Sequence, residues 1–461
     1  MQPREAVLST PELLSVIFSA LPPDSRLLCR EVCTLWRRVL RDRKLWAVLD
    51  FSDADYELDE ALLIAAAAAA GANGVHTLVL SNPEFRFWDE PCNPDSDLEP
   101  VLLRVLRDNE GSLRRFNTFG RHDFSDGSSF DGVMVAEQLA AVLEAAPALE
   151  LLEAHASAFS AASLLPILRD DRVRLNSLSL TENEGSLSGP SMHELVAALA
   201  RQRRTLRSLE LEGVPSSLAP DALVAVLLDC PLLVRLEIGY APISSDLLAA
   251  LGRLLGAGLL QDFTITLYDT ALHHLWTSQA ALAFAAGLRA NRQLTYLSFT
   301  NMGLFEARQG NVGAEATILM SLVAHPSLKT VDVADIAHRD KPAPAYVSTW
   351  LSAMVAANSP SLSQLYAPHL TLSDADMLPF FSALSCNTHL TCIHAPGRRL
   401  SLGYLRDVVL PAVKANTSLE ELRVPDDFHS SPTSCFPVGH RGDMSRLDFI
   451  AQVEALVNGR V

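Results

Sequence analysis

Few features of this chain announce a catalyst or a secreted protein. Seven cysteines among 461 residues are an odd number with no framework spacing, which points to a reducing compartment rather than a disulfide-stapled fold. The start, Met1-Gln2-Pro3-Arg4-Glu5, has no apolar core of the kind a secretory signal needs. The longest apolar run, Ala61 to Ala70, is about half the length of a membrane span. A soluble intracellular protein, cytoplasmic or nuclear, is expected. A net charge of −17 argues against nucleic acid and anionic lipid as partners, because both repel it. There is no G-x-S-x-G nucleophile elbow and no phosphate loop; Gly252, Gly256 and Gly258 read as caps at a helix end. Cys29 and Cys33 have no second pair to complete a metal site, and His273-His274 has no acidic or cysteine partner at ligand spacing. The tightest soft-ligand cluster is Cys386, His389, Cys392 and His394, with Cys386 on a preceding helix. No catalytic residue, cofactor or metal is expected.

What the chain does have is a recurring apolar word, L-x-x-L-x-L. Twelve copies begin at Val75, Leu113, Leu149, Leu175, Leu206, Leu233, Leu260, Leu294, Leu328, Leu362, Leu390 and Leu419, spaced 26 to 38 residues apart. Apolar alternation inside each word marks a strand, and segments between words, such as Asp246 to Leu255 and Ser278 to Ala290, carry helical spacing. A strand and a helix alone cannot bury their own apolar faces, so neighbouring units must stack. Asn291, Asn358, Asn387 and Asn416 close several helices and are expected to act as left-handed caps. Alternating residues of the strands face outward; Glu210, Glu212, Glu237 and Asp262 gather there and predict a basic ligand segment. Three long insertions follow strands and carry Phe85, Phe87 and Trp88, then Phe119, Phe124 and Phe130, then Phe305 and Arg308. Aromatic and arginine side chains on adjoining loops suit an edge that binds a target protein.

Residues 1–49 differ from the rest: eight basic residues against five acidic ones leave this segment at +3. Thr10 to Leu21 and Arg26 to Leu40 are predicted as helices, followed by Leu45-Trp46. So much apolar surface on so small a module requires something to pack against.

The string P-E-L-L-x-x-I-F-x-x-L from Pro11 to Leu21, then L-L-C-x-x-V-C-x-x-W from Leu27 to Trp36, then Leu45-Trp46, resembles an F-box. The usual Leu-Pro pair is altered, with Ser9-Thr10-Pro11-Glu12 in its place and Leu8 just upstream. The resemblance implies binding to a Skp-family adaptor and through it to a cullin–RING ubiquitin ligase. It also implies that Leu8, Pro11, Leu13, Leu14, Ile17, Phe18, Val32, Cys33 and Trp36 pack against the adaptor or hold the box together. The joints Asn291 to Leu294, Asn387 to Leu390 and Asn416 to Leu419 resemble ribonuclease-inhibitor-like leucine-rich repeats. An asparagine after the strand stands at Asn183 and is missing from most units.

The expected fold is therefore α/β: an N-terminal three-helix F-box on a leucine-rich-repeat horseshoe of about twelve strand–helix units. Its parts are an F-box at residues 1–50, an acidic linker at 51–60, repeats at 61–442 and a capping helix at 443–461. The expected function is the non-catalytic substrate-recognition subunit of a cullin–RING ubiquitin ligase. Two alternatives stand beside it. Long acidic repeats also resemble the Ran GTPase activators, which implies a regulator of a small GTPase, although those lack an F-box. The other is a protein-binding scaffold without ligase association, whose first helices only cap the repeats.

Overall fold

The computed structural model describes residues 10–51, 60–80, 98–118, 146, 148–155, 165, 167–181, 189–212, 220–239, 243–266, 276–300, 312–333, 345–367, 370, 372–394, 400–423 and 457. The chain forms two compact units, Met1–Leu218 with Asp229–Leu232, and Ala219–Leu228 with Leu233–Val461.

The first unit opens with helices α1 (Pro11–Ser19), α2 (Pro23–Cys29) and α3 (Thr34–Val39), then a 3-10 turn (Arg43–Trp46). Proline at or near the first position starts α1 and α2, where its missing N–H costs nothing. The single helix expected over Arg26 to Leu40 is instead two. The chain leaves α2 at Arg30, and Cys33 takes an extended conformation and caps α3, its sulfur accepting from the Trp36 N–H at 3.5 Å. The break lets Phe18 and Trp36 meet edge to face at 5.3 Å. At its centre lies a residue that periodicity did not single out, the buried Arg26. Its guanidinium donates to the carbonyls of Phe18 (2.9 Å), Leu21 (2.7 Å), Val48 (3.2 Å), Ser19 (3.3 Å) and Leu45. A rigid five-donor fork can satisfy the loose ends of several elements at once. Burial lowers its pKa, partly offset by Asp50.

The chain then enters a strand that the repeated word does not mark, β1 (Val48–Asp50). It is followed by α4 (Glu60–Ala70), β2 (Thr77–Val79), α5 (Leu98–Asp108), β3 (Arg115–Thr118), β4 (Leu151–His155), β5 (Ser177–Thr181), α6 (Gly189–Gln202) and β6 (Ser208–Glu212). The parallel sheet thus begins inside the segment assigned to the N-terminal box. Of the acidic stretch at 51–60, Phe51 is buried and residues 52–59 lie outside the described residues. Both α2 and the 3-10 turn pack on α4. Strands run parallel in chain order, and register links Leu49, Leu78, Phe116, Leu152, Leu178 and Leu209, each fully buried.

The second unit contains α7 (Pro220–Leu228), β7 (Arg235–Gly239), α8 (Ser245–Gly256), β8 (Asp262–Thr266), α9 (Ser278–Ala290), β9 (Tyr296–Thr300) and α10 (Val312–Met320). There follow β10 (Thr330–Asp332), α11 (Ala345–Ala356), β11 (Gln364–Tyr366), α12 (Asp374–Leu384), β12 (Cys392–His394), α13 (Leu402–Tyr404), a π-turn (Leu405–Val409), α14 (Leu410–Ala415) and β13 (Glu421–Arg423). Register again threads one buried residue per strand: Leu236, Phe263, Leu297, Val331, Leu365, Ile393 and Leu422. Burying each such side chain contributes roughly 1.5–3 kcal/mol. Every one of the twelve words begins two residues before a strand, from Val75 before β2 to Leu419 before β13.

Asparagines at the helix-to-strand joints do a different job from the one expected. Asn291 and Asn416 have φ of −71° and −73°, and Asn387 is not left-handed either; only Asn358 has a positive φ, 46°. Each of the three is buried and brackets two units. The Asn291 amide donates to the Leu260 carbonyl at 3.1 Å while its oxygen accepts from Gln293 and Leu294 N–H at 2.8 and 2.9 Å. Asn387 and Asn416 repeat the pattern toward Val355 and Leu384. Interior joints between stacked units leave backbone groups without partners, and one side-chain amide supplies both a donor and an acceptor. Asn109 and Gln202 serve likewise in the first unit, and His325 takes the position in the second, its Nε2 2.9 Å from the Leu288 carbonyl. Gly252 is also not a cap. It lies inside α8 against α9, and the left-handed residue is Gly258, at φ +74°. Residues 443–461, the expected closing helix, lie outside the described residues except Val457.

Candidate functional site: an apolar surface and an acidic groove

Along α1 two faces separate by helical spacing. Leu14 and Phe18, four apart, are buried, whereas Leu13, Val16 and Ile17 point outward. Leu28 and Val32 are exposed beyond them, so five large apolar side chains stand between 39% and 71% exposed within twenty residues of chain. A folded box this small has spent its core on Leu14, Phe18, Leu40, Leu45 and Trp46. The Trp46 indole N–H donates to the Leu40 carbonyl at 2.9 Å, which ties the 3-10 turn to the end of α3. What remains outside is more apolar surface than a free module of this size normally leaves to water.

Of the residues implied by the resemblance, Leu14 and Phe18 therefore hold the box together. Pro11, Leu13, Ile17, Val32 and Cys33 are exposed, Trp36 is half-buried against Phe18, and Leu8 lies outside the described residues. Val16 and Leu28 are exposed as well, although the resemblance did not include them: Val16 lies off the apolar spacing of its helix, and Leu28 lies on the same side as Val32.

Residues 11–52 match the F-box-like family. The F-box-like domain thus spans α1 through β1 and ends just past Phe51. Beyond β1 the match does not extend into the strand–helix units. No curated protein matches the chain. Among solved structures, a chain in the crystal structure of the Rad7 and Elc1 complex in yeast is similar at 14% identity over 62% of this chain and 75% of that one, with a TM-score of 0.31. At that score the likeness carries no conclusion about this chain.

A second candidate surface lies in the second unit, on the face of β7 to β10 opposite the helices. Arg235, Glu237, Asp262, Thr264, Tyr296 and Asp332 line a groove of about 540 Å³, together with the buried Thr266 and Ser298. Three carboxylates against one guanidinium make it acidic, and Arg235 is already engaged by Glu237 at 3.0 Å. Asp262 lies within 3.5 Å of the Thr295 hydroxyl. Burial raises the Tyr296 phenol and the negative charges of Asp332 and Glu237 raise it further, against the hydrogen bond with Ser298 and the charge of Arg235; it is the surplus of carboxylates over Arg235 that suits a cationic ligand. Of the four acidic residues read from the strands, Glu237 and Asp262 share this groove. Glu210 is half-buried on β6 of the first unit, and Glu212 lies beside it on that strand. Asp332 and Tyr296 join the groove because register stacks β8, β9 and β10 with Asp262, Tyr296 and Thr330 as partners. The aromatic and arginine anchors expected on the insertions, Phe85, Phe87, Trp88, Phe119, Phe124, Phe130, Phe305 and Arg308, lie outside the described residues.

Five cysteines among the described residues are free thiols. No described helix is long and apolar enough to cross a membrane.

Proposed function

We propose that this protein is the substrate-recognition subunit of a cullin–RING ubiquitin ligase. Its F-box-like domain docks on a Skp-family adaptor through Pro11, Leu13, Ile17, Val32 and Cys33, joined by Val16 and Leu28. Its leucine-rich repeats hold a target protein, with a basic segment of that target seated over Glu237, Asp262 and Asp332. The observation that carries the proposal is the F-box-like match at residues 11–52 on a box whose core is closed and whose remaining apolar side chains face outward. An obligate partner would cover such a surface. The chain itself performs no bond chemistry. It raises the effective concentration of the target near a separate ubiquitin-loaded enzyme, which is a gain of proximity and orientation.

Affinity purification of the tagged full-length chain from cells tests the assembly. Adaptor, cullin and RING subunits co-purify with the wild-type chain and are lost together with Leu13→Asp. Recovery of a small GTPase in their place would replace the proposal with the regulator alternative.

A further inference from the structure

On β12, Ile393 is buried in the core between Cys392 and His394, which both turn to the opposite face of the sheet. Strand β13 runs parallel beside it, with Glu421 in register with Cys392 and Arg423 with His394. This places the Cys392 Sγ 3.4 Å from Glu421 Oε2 and the His394 Nε2 3.7 Å from Glu421 Oε1. One ligand atom from each of the three side chains lies within 4.8 Å of the other two. A tetrahedral zinc ion with bonds of about 2.0–2.3 Å sets its neighbouring ligand atoms about 3.4–3.6 Å apart. With Glu421 Oε2 as the carboxylate ligand, the Cys392–Glu421 edge is already close to that length, and all three ligand atoms lie within 4.8 Å of one another.

We infer that Cys392, His394 and Glu421 form a zinc site with three protein ligands and a fourth position open to the strand face. A thiolate, an imidazole and a carboxylate are a ligand set that zinc accepts, whereas magnesium and calcium take oxygen. Binding replaces the thiol proton with the metal and releases that proton to solvent, so thiolate and carboxylate together balance the two positive charges of the ion. The surroundings hold the ligands in place. Tyr366 packs edge-on against the His394 ring at 4.5 Å and brings its hydroxyl 3.7 Å from the Cys392 sulfur. Arg423 donates from Nε to Glu421 Oε1 at 2.7 Å and fixes the carboxylate plane. Outer partners of this kind orient metal ligands in built sites. The set also departs from the soft-ligand cluster visible in the sequence. Cys386 and His389 are exposed on the approach to β12, and the third ligand comes from the next strand, about thirty residues on, brought alongside by the parallel register of β12 and β13.

The test is cobalt(II) titration of the zinc-free full-length chain, with cobalt standing in for zinc. The site predicts one cobalt per chain, a thiolate-to-cobalt charge-transfer band, and displacement of that band by zinc. Cys392→Ser removes the band and His394→Ala weakens it, while Cys386→Ser and Cys33→Ser leave it unchanged. Zinc also raises the melting temperature of the wild-type chain and of Cys386→Ser but not of His394→Ala, a half-exposed position whose change leaves the metal-free melting point in place. Absence of the band, or its survival in Cys392→Ser, would overturn the inference and leave a Cys392–Glu421 hydrogen bond as the whole purpose of the cluster.

Discussion

Gly287 of α9 lies so close to Gly252 of α8 that neither position has room for a methyl group. A Cβ on Gly252 would stand 2.6 Å from the Ala283 carbonyl oxygen, and one on Gly287 would overlap the backbone of Gly252 itself. Both clashes are with backbone, which cannot step aside as a flexible side chain can. Gly252→Ala and Gly287→Ala are each expected to lower stability by about 1–3 kcal/mol. Gly256→Ala is the control, since its Cβ would meet only the Gly287 Cα at 3.7 Å, an ordinary contact. Urea unfolding monitored by circular dichroism checks all three, and equal midpoints would contradict the close packing.

Arg26 makes a second stability prediction. Replacing it with Met keeps the apolar stem and removes the guanidinium donors to the carbonyls of Phe18, Ser19, Leu21, Leu45 and Val48. Buried acceptors left without partners cost about 1–3 kcal/mol each. Arg26→Met is expected to melt the F-box-like domain at least about 10 °C early, and Arg26→Lys fails to restore it, because one ammonium cannot reach carbonyls on three elements. Thermal melts followed by near-ultraviolet tryptophan signal separate the outcomes.

The strands were legible and the joints were not, for a physical reason. Two-residue alternation is carried by the leucines themselves, so each word from Val75 to Leu419 announced its strand. Strand β1 escaped because Val48-Leu49-Asp50 contributes a single buried leucine and borrows its pairing from β2. Asn291, Asn387 and Asn416 were noticed but assigned by propensity to a left-handed turn, whereas their neighbours' carbonyls, about thirty residues away in sequence, decide their role. His325 and Gln202 fill the same bracket with different letters, and no single-residue motif can find them. The acidic groove was half legible: Glu237 and Asp262 read as an acidic cluster and Tyr296 and Asp332 as outward-facing strand residues, but only the register of β8, β9 and β10 brings the four into one groove.

Acidity itself should tune the second unit. Burial raises the Glu315 carboxyl on α10 to about 7, although the hydrogen bond from the Tyr346 hydroxyl opposes the shift. Because the folded value lies above the ordinary 4.5, this group's contribution to stability is complete below pH 4.5 and is lost as pH rises through about 7. Wild-type melting temperature is expected to fall between pH 5 and pH 8 more steeply than that of Glu315→Gln, which keeps an acceptor for Tyr346 and never ionises. Parallel slopes in differential scanning calorimetry would remove Glu315 as the cause.

If the groove of β7 to β10 takes a basic segment, an arginine-rich peptide should bind the full-length chain and weaken as salt rises. Asp262→Lys and Asp332→Lys are each expected to reduce that affinity roughly tenfold or more, about 1.4 kcal/mol. Glu110→Lys, an exposed reversal in the first unit, leaves it unchanged. Fluorescence anisotropy at low and physiological ionic strength makes the comparison. Equal losses from all three would mean a general charge effect rather than a site.

The most direct measurement of the central claim is calorimetric titration of a purified Skp-family adaptor into the full-length chain. The full chain is needed because β1 of the F-box-like domain pairs with β2 beyond it. Wild type is expected to bind at micromolar affinity or tighter. Leu13→Asp, Ile17→Asp and Val32→Asp should lose binding with melting temperatures unchanged, since these side chains face water in the free protein. A folded wild-type chain that does not bind, or binding that survives all three substitutions, would contradict the receptor role.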